Sequence, residues 1–487
     1  MVAGCAEGGI HKSTRAMGLK SGERGVKAWL KEKHAAQFCR FDTLTAARDG
    51  VPSAREHTAI LLDGNVLMNA VPESVCTLGG IADVIFGYVW RDALAAGKLV
   101  VVVFDEPAHL TYAKREEQAR RDATRKAKTV TSLAEPAPPL PHDFTRADLE
   151  ACGDISVLKT DRRFKTRLYD EVIRRVFDRV KTVMAQWQNH DHEPGILVLD
   201  GVEPRGCELP NGEARSPVMC GTDVAVSAAL TRTVPIGEGD LKLVSLENKL
   251  RDLKTRDPRF EEYRLCITST IDTDALPIML LDVAKRRLAP SPVALQTRLC
   301  MREPPSKRAR EETDGQARAT FLTVDIVLLE KTLQCHFWSE SASQPTAAEM
   351  LQSMLALSSA MAVCGCDFTG NGQKGSRFDH FYESLPKFVA NEPRALATFD
   401  TALASEPAAA RQACEGLLRV CRVASTNMEV KPMGGGTRTY TTQASQVRSI
   451  PKGMLRRAVW TSAYWAQNEF DANLEWGFQP KLCISAA

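Results

Sequence analysis

The chain has 487 residues, with 63 Lys and Arg against 60 Asp and Glu for a formal charge of +3, and is 44% hydrophobic and 25% charged. That is ordinary globular composition, long enough for about three domains or one heavily decorated one, and it excludes a chain that is basic throughout. No run approaches 18 consecutive apolar residues, residues 1–35 hold no apolar signal-peptide core, and fourteen cysteines without a C-x-x-C pair do not make a zinc or disulfide framework. The expected setting is a reducing one, nucleus or cytoplasm, with no membrane partner and no secretion.

In chain order, three apolar runs end in an aspartate followed by a turn: Ile60-Leu-Leu-Asp63-Gly64, Val100-Val-Val-Val-Phe-Asp105-Glu106-Pro107 and Ile196-Leu-Val-Leu-Asp200-Gly201. Continuous apolar runs of this length predict buried parallel strands, whose two faces are both covered by helices. Between the second and third lies a basic stretch, residues 114–128, with seven basic and three acidic residues. A Pro-rich connector follows at Thr129–His142, which can be neither helix nor central strand. Phe164, Leu168, Val172, Val176, Val180, Met184 and Trp187 then recur every three or four residues, predicting a helix over 163–187. Strands alternating with helices predict an α/β sheet, and such sheets collect ligands at the carboxyl ends of their strands.

Further along, Gly237-Glu238-Gly239-Asp240 opens an apolar run and reads as a helix start bearing two carboxylates. Ser269-Thr-Ile-Asp272-Thr-Asp274 follows the apolar Leu265-Cys-Ile267 and reads as another acidic strand end. Residues 289–318 mix Pro, Arg and Glu and read as a disordered or hairpin insertion, within which Lys307-Arg308-Ala-Arg310 fits a nuclear import signal or a solvated loop equally. A helix predicted over Ala348–Val363 runs into Cys364-Gly-Cys-Asp367-Phe368, with both cysteines read as small packed side chains. The last third is Ala-rich and helical, and its Trp460, Tyr464 and Trp465 read as core. These features divide the chain into 1–128, a connector at 129–150, 151–288, an insertion at 289–318, 319–385 and a helical region at 386–487.

Seven carboxylates thus punctuate the predicted strand ends and helix starts: Asp63, Asp105, Glu238, Asp240, Asp272, Asp274 and Asp367. Any one of them taken alone reads as a helix cap or turn residue. Seven brought together could not all stay ionised without cations, because like charges raise one another's pKa. Hard divalent cations answer that need, and a pair of Mg²⁺ ions, with Mn²⁺ as substitute, suits so many acids. Two such ions clamp a phosphodiester for in-line displacement.

On these residues the chain resembles the flap-endonuclease-like 5′ nuclease superfamily, which includes flap endonucleases, the nucleotide-excision-repair 3′-side nuclease and 5′→3′ exoribonucleases. The resemblance runs from about Gly25 to about Leu385 through short blocks. Gly25-Val-Lys-Ala-Trp-Leu30 is similar to the family's amino-terminal helix start, here 24 residues in. Asp63 and Asp105 match its first two metal acids, Glu238 and Asp240 its Gly-Glu-Gly-Asp type of motif, Asp272 and Asp274 its Asp-x-Asp, and Asp367 its Gly-x-Asp-Phe. Asp200-Gly-Val-Glu-Pro-Arg205 echoes the exoribonuclease strand end, but no basic helix follows it, so the metal role goes to Asp105 and Asp200 is a supporting or turn residue. The resemblance implies a PIN-like, mostly parallel sheet with flanking helices, a helical arch-like insertion and an α-helical carboxy-terminal region.

The same resemblance makes Ala113 to Arg121 similar to the basic helix above the family's site. Lys114 and Arg121 are then the catalytic candidates for gripping the scissile phosphate, with Arg115, Arg120 and Lys374 as nucleic-acid contacts. Residues 159–181, nine basic against four acidic, suit a backbone track. The turn at Thr369-Gly-Asn-Gly-Gln-Lys374 lacks the family's hydrophobic residue between glycines, and no sliding-clamp peptide is evident. The expected activity is metal-dependent hydrolysis of DNA at a flap or junction. The alternatives are a 5′→3′ exoribonuclease and an inactive scaffold of the same fold.

Overall fold

The computed structural model describes residues 20–21, 24–49, 54–72, 75, 77–105, 123, 162–186, 195–200, 219–231, 238–288, 293–303, 319–366, 378–400, 412–420 and 452–466. A short ribbon of β1 (Lys20–Ser21) and β2 (Arg24–Gly25) leads into helix α1 (Val26–Lys33), then β3 (Phe38–Phe41) and α2 (Leu44–Asp49). β4 (Thr58–Asp63) is followed by α3 (Gly64–Ala70) and α4 (Leu78–Gly87), and β5 (Leu99–Val103) by α5 (Arg162–Gln186). β6 (Ile196–Asp200), β7 (Met219–Gly221), α6 (Val224–Leu230) and α7 (Gly239–Arg256) come next. Then come β8 (Leu265–Thr270), α8 (Ala275–Arg286), β9 (Gln296–Glu303), β10 (Thr320–Asp325), α9 (Ile326–Phe337) and α10 (Ala347–Cys364). The described chain closes with α11 (Phe378–Asn391), α12 (Pro393–Asp400), a helix at 412–420 and α13 (Lys452–Trp465).

Eight strands form one sheet in the order β3-β10-β9-β8-β4-β5-β6-β7. The central five, β9 through β6, run parallel. The strands outside them, β10 and β3 on one side and β7 on the other, are antiparallel to their neighbours. The fold is therefore mixed α/β with a mostly parallel sheet between helical layers, as the apolar runs predicted. The three runs ending in Asp63, Asp105 and Asp200 are adjacent strands, buried along almost their whole length. Full burial of a Val or Leu side chain is worth about 1.5–3 kcal/mol, so these runs anchor the sheet's interior.

Alternation along each strand sends side chains to two faces. Ile60, Leu62, Val100, Val102, Leu197 and Leu199 pack under α4 and α5, while Leu61, Val101, Val103 and Val198 pack under α6 and α7. The predicted helix over 163–187 is α5, and Leu168, Val172, Val176, Val180 and Met184 supply its buried stripe. A third cluster gathers α1 and α8 through α13 against β9 and β10. At its centre lies α10, started by a capping box in which the Thr346 hydroxyl accepts from the Glu349 N–H and the Glu349 carboxylate accepts from the Thr346 N–H. By length and composition alone α10 is apolar enough to cross a membrane, yet every residue from Leu351 to Cys364 is buried in this protein core. Trp460, Tyr464 and Trp465 of α13 are buried there too, as are Cys364 and Cys366.

One segment departs from the sequence reading. Gln296–Glu303, inside the stretch 289–318 read as a disordered or hairpin insertion, is β9, paired in parallel with β8 and antiparallel with β10. The hairpin reading is the nearer one, but the strand belongs to the main sheet. Its polar composition misled, because the half-buried Arg298, Arg302 and Glu303 flank an apolar run of only three residues, Leu299, Cys300 and Met301. The basic stretch 114–128, apart from Ala123, and the Pro-rich connector lie outside the described residues, as does Lys307 to Arg310.

Candidate active site

Four parallel strands end in one row. The pairing sets Thr270 of β8 level with Asp63 of β4, continuing the Leu62–Ser269 register, and Asp63 level with Val103 of β5. Val103 is in turn one step beyond Val102, which pairs with Leu199, so Asp200 completes the row. Residues level on neighbouring parallel strands face the same way, and these face α7. The amino-terminal turn of α7 therefore sits over the carboxyl ends of the strands, where α/β sheets bind ligands.

Asp63 is the hub. Its side chain is 3% exposed and caps α3, with Oδ1 accepting the Asn65 N–H at 2.9 Å. Capping, the bland role of a strand-end Asp, uses one oxygen. The other, Oδ2, faces the Thr270 hydroxyl at 3.3 Å, and the same hydroxyl lies 3.2 Å from Asp240 Oδ1. Thr270 Oγ1 also accepts the Asp272 N–H at 3.0 Å. A hydroxyl has one proton to give, so it serves only one of the two carboxylates at a time.

Asp105 lies two residues beyond β5, and its Oδ1 accepts the Gly239 N–H at 2.7 Å. A side chain at Gly239 would crowd this contact: its β-carbon would lie 3.1 Å from Asp105 Oδ1 and 3.6 Å from Asp63 Oδ1. Asp272 Oδ1 accepts the Asp274 N–H at 3.1 Å, folding the Asp-x-Asp turn on itself. Burial, then the charges of Asp105 and Asp272, push the Asp63 carboxyl up from 3.8 to about 7, against the opposing hydrogen bonds from Asn65 and Thr270.

Of the seven carboxylates singled out in the sequence, Asp63 and Asp240 meet at the Thr270 hydroxyl, the backbone N–H of Asp272 reaches the same oxygen, and Asp105 is tied to the start of α7 through the Gly239 N–H. Glu238, at the cap position of α7, and Asp274, before α8, are buried beside them. Asp367 lies outside the described residues, two positions beyond Gly365, whose φ of 116° lets the chain leave α10. Lys114, Arg115, Arg120, Arg121 and Lys374 lie outside them as well. Among the described residues, no three His, Cys, Asp or Glu side chains already stand in an ion-holding arrangement. The donor set nevertheless fits a hard cation: it is all oxygen, and Asp63, whose carboxyl is raised first by burial and then by the charges of Asp105 and Asp272, stands where a cation would offset both.

Two participants escaped the sequence reading. Thr270 is one of three buried hydroxyl residues, Thr268-Ser-Thr270, in a strand that begins Leu265-Cys-Ile267. That polar triplet in a buried strand was the available signal. The other is Lys242, wholly buried, whose Nζ lies 3.3 Å from Asp200 Oδ2. Asp200 is thus ion-paired with a lysine from the helix whose start carries Glu238 and Asp240. No family model matches the chain, and no curated protein is significantly similar to it.

Proposed function

We propose that this protein is a divalent-metal-dependent phosphodiesterase with a PIN-like nuclease core, acting on DNA ends or junctions. The observation that carries the proposal is the meeting of Asp63 and Asp240 at Thr270, with Asp272 beside them and Asp105 close enough to raise the Asp63 pKa, at the carboxyl ends of parallel strands. Asp63, Asp240 and Asp272 would hold the cations, with Asp105 on the β5 side. Divalent cations bound there would supply Lewis acidity and charge neutralisation at a phosphodiester.

The protein's own groups do the positioning. The Gly239 N–H aims Asp105, the Thr270 hydroxyl stands between Asp63 and Asp240 and donates to one of them at a time, and the Asp272 N–H donates to the Thr270 oxygen. The absence of a β-carbon at Gly239 lets α7 approach Asp105 closely. Lys114 and Arg121 enter on sequence grounds as the groups that grip the phosphate, and the basic face of α5 as part of a backbone track.

The test is a panel of end-labelled flap, nicked, single-stranded and RNA substrates with Mg²⁺, Mn²⁺ or a chelator. Cleavage of flap or junction DNA that needs the cation, and that Asp272→Ala and Asp274→Ala abolish while DNA binding survives, is the expected outcome. Preferential cutting of 5′-phosphorylated RNA would move the substrate class to the exoribonuclease alternative. Intact substrates throughout, with either metal, would leave the inactive scaffold as the correct reading.

A further inference from the structure

Asp200 occupies the same row as Asp63, two strands away across β5, at roughly 10 Å for two inter-strand spacings. It faces the same side of the sheet, beneath the same first turn of α7. By placement alone it is a further strand-end carboxylate of the acidic site. What sets it apart is its partner: Lys242 Nζ at 3.3 Å, with both side chains 0% exposed. Lys242 donates its backbone N–H to the Glu238 carbonyl and stands two residues after Asp240, so its stem rises from the turn that carries two of the site's acids.

A wholly buried Lys–Asp pair is a poor device for stability, because each ion loses its hydration, and two apolar side chains of similar size would serve as well or better. Its position gives it another use. A carboxylate buried at the edge of an acidic cluster needs a positive neighbour, and a free divalent cation would meet that need as readily as an ammonium. Here the protein supplies the charge itself.

Building on the cation-binding reading above, we infer that Lys242 is a built-in counter-cation that closes the β6 end of the site. It takes the place beside Asp200 that a metal ion would otherwise occupy. Exchangeable cations are thereby confined to the side of Asp63, Asp240 and Asp272. Lys242 is a positioning residue in a second respect, since its tie to β6 holds the first turn of α7, with Glu238 and Asp240, against the strand ends.

The measurement is Mn²⁺ binding followed by electron paramagnetic resonance of the free ion, on the full chain without nucleic acid. Lys242→Met is expected to bind one more Mn²⁺ than wild type, and Asp200→Asn/Lys242→Met to return to the wild-type number because the extra carboxylate has gone too. Asp200→Asn alone leaves the ammonium beside the cluster without its carboxylate and is expected to weaken Mn²⁺ binding by roughly tenfold or more. The double variant should recover that loss, which a purely structural pair would not do. Wild-type number and affinity in a folded Lys242→Met protein would overturn the inference. Should that variant fail to fold, equal Mn²⁺ affinity in Asp200→Asn and the double variant would overturn it instead. A wild-type protein that binds no Mn²⁺ would remove the cation-binding reading itself, a result distinct from either of these.

Discussion

Replacing Asp63 by Asn should make the metal-free protein more stable while disabling it. The Asp63 carboxyl sits in a buried place next to Asp105 and Asp272, which lifts its pKa from 3.8 to about 7. A group whose folded pKa is raised contributes no penalty below its unfolded value and a growing one as pH rises through the folded value. For Asp63 the loss accumulates between about pH 4 and pH 7 and then levels off. The shift corresponds to at most about 4 kcal/mol at pH 8. With an unfolding entropy of about 2.1 cal/mol/K per residue, a chain of this length should gain roughly 4 °C in melting temperature on Asp63→Asn. Asparagine keeps the oxygen that accepts the Asn65 N–H, so the α3 cap survives. The assay is calorimetric melting in chelator at pH 5 and pH 8, repeated with Mn²⁺. The variant should melt higher at pH 8, by less at pH 5, and should gain less than wild type from Mn²⁺, since binding stabilises only the form that binds. A variant that melts no higher than wild type at pH 8 in chelator would refute the reasoning, because the cost of ionising Asp63 in its buried, acidic surroundings would then not exist.

Three further outcomes test other parts of the structure. Thr270→Val removes the hydroxyl shared by Asp63 and Asp240, and should cost about 1–2 kcal/mol in urea unfolding while lowering Mn²⁺ affinity in titration calorimetry; unchanged affinity would deny Thr270 its positioning role. Glu247 is buried between α7 and β9, where burial pushes its carboxyl up but Arg286, Arg251 and Thr297 outweigh that and hold it below the usual range. Its contribution is present above the ordinary glutamate value and fades as pH falls through the lowered one, and Glu247→Gln should cost about 3 kcal/mol at neutral pH by urea denaturation. In the core cluster around α10, the Tyr382 hydroxyl meets His34 Nε2 at 3.1 Å and the His336 ring stacks on Tyr382 at 4.2 Å. Burial lowers both histidines first, and their proximity to Lys33 adds to it. Their stabilising effect is complete above about pH 6.5 and is lost as pH falls below it, so the protection factors of α1 amides, corrected for the intrinsic exchange rate at each pH, should fall on acidification, and the His34→Gln/His336→Gln protein should lose that pH dependence.

Much of the site was legible along the chain because its signals are local. A buried strand needs only a run of apolar residues, so the three runs ending in Asp63, Asp105 and Asp200 could be read without knowing their neighbours. Gly239-Asp240 at a helix start and the Asp272-x-Asp274 turn are likewise short-range patterns. The polar strand β9 was hidden because its charged residues make it look, in sequence, like the Pro-, Arg- and Glu-rich stretch around it. Its place beside β8 depends on pairing with residues about thirty positions away.

The apolar runs alone treat Asp105 and Asp200 alike, and only the basic stretch after Asp105, set against the resemblance, gave Asp105 the metal role. The sequence by itself determined that acids would stand at the ends of buried parallel strands and at the start of a helix. The tertiary structure alone decided their company. Strand order and register set Thr270, Asp63 and Asp200 level in one row, and the docking of α7 brought the Gly239 N–H to Asp105 and the Lys242 ammonium to Asp200. The physical reason is that a carboxylate's behaviour depends on the charges and donors within a few ångströms of it, and those arrive from segments distant in the chain.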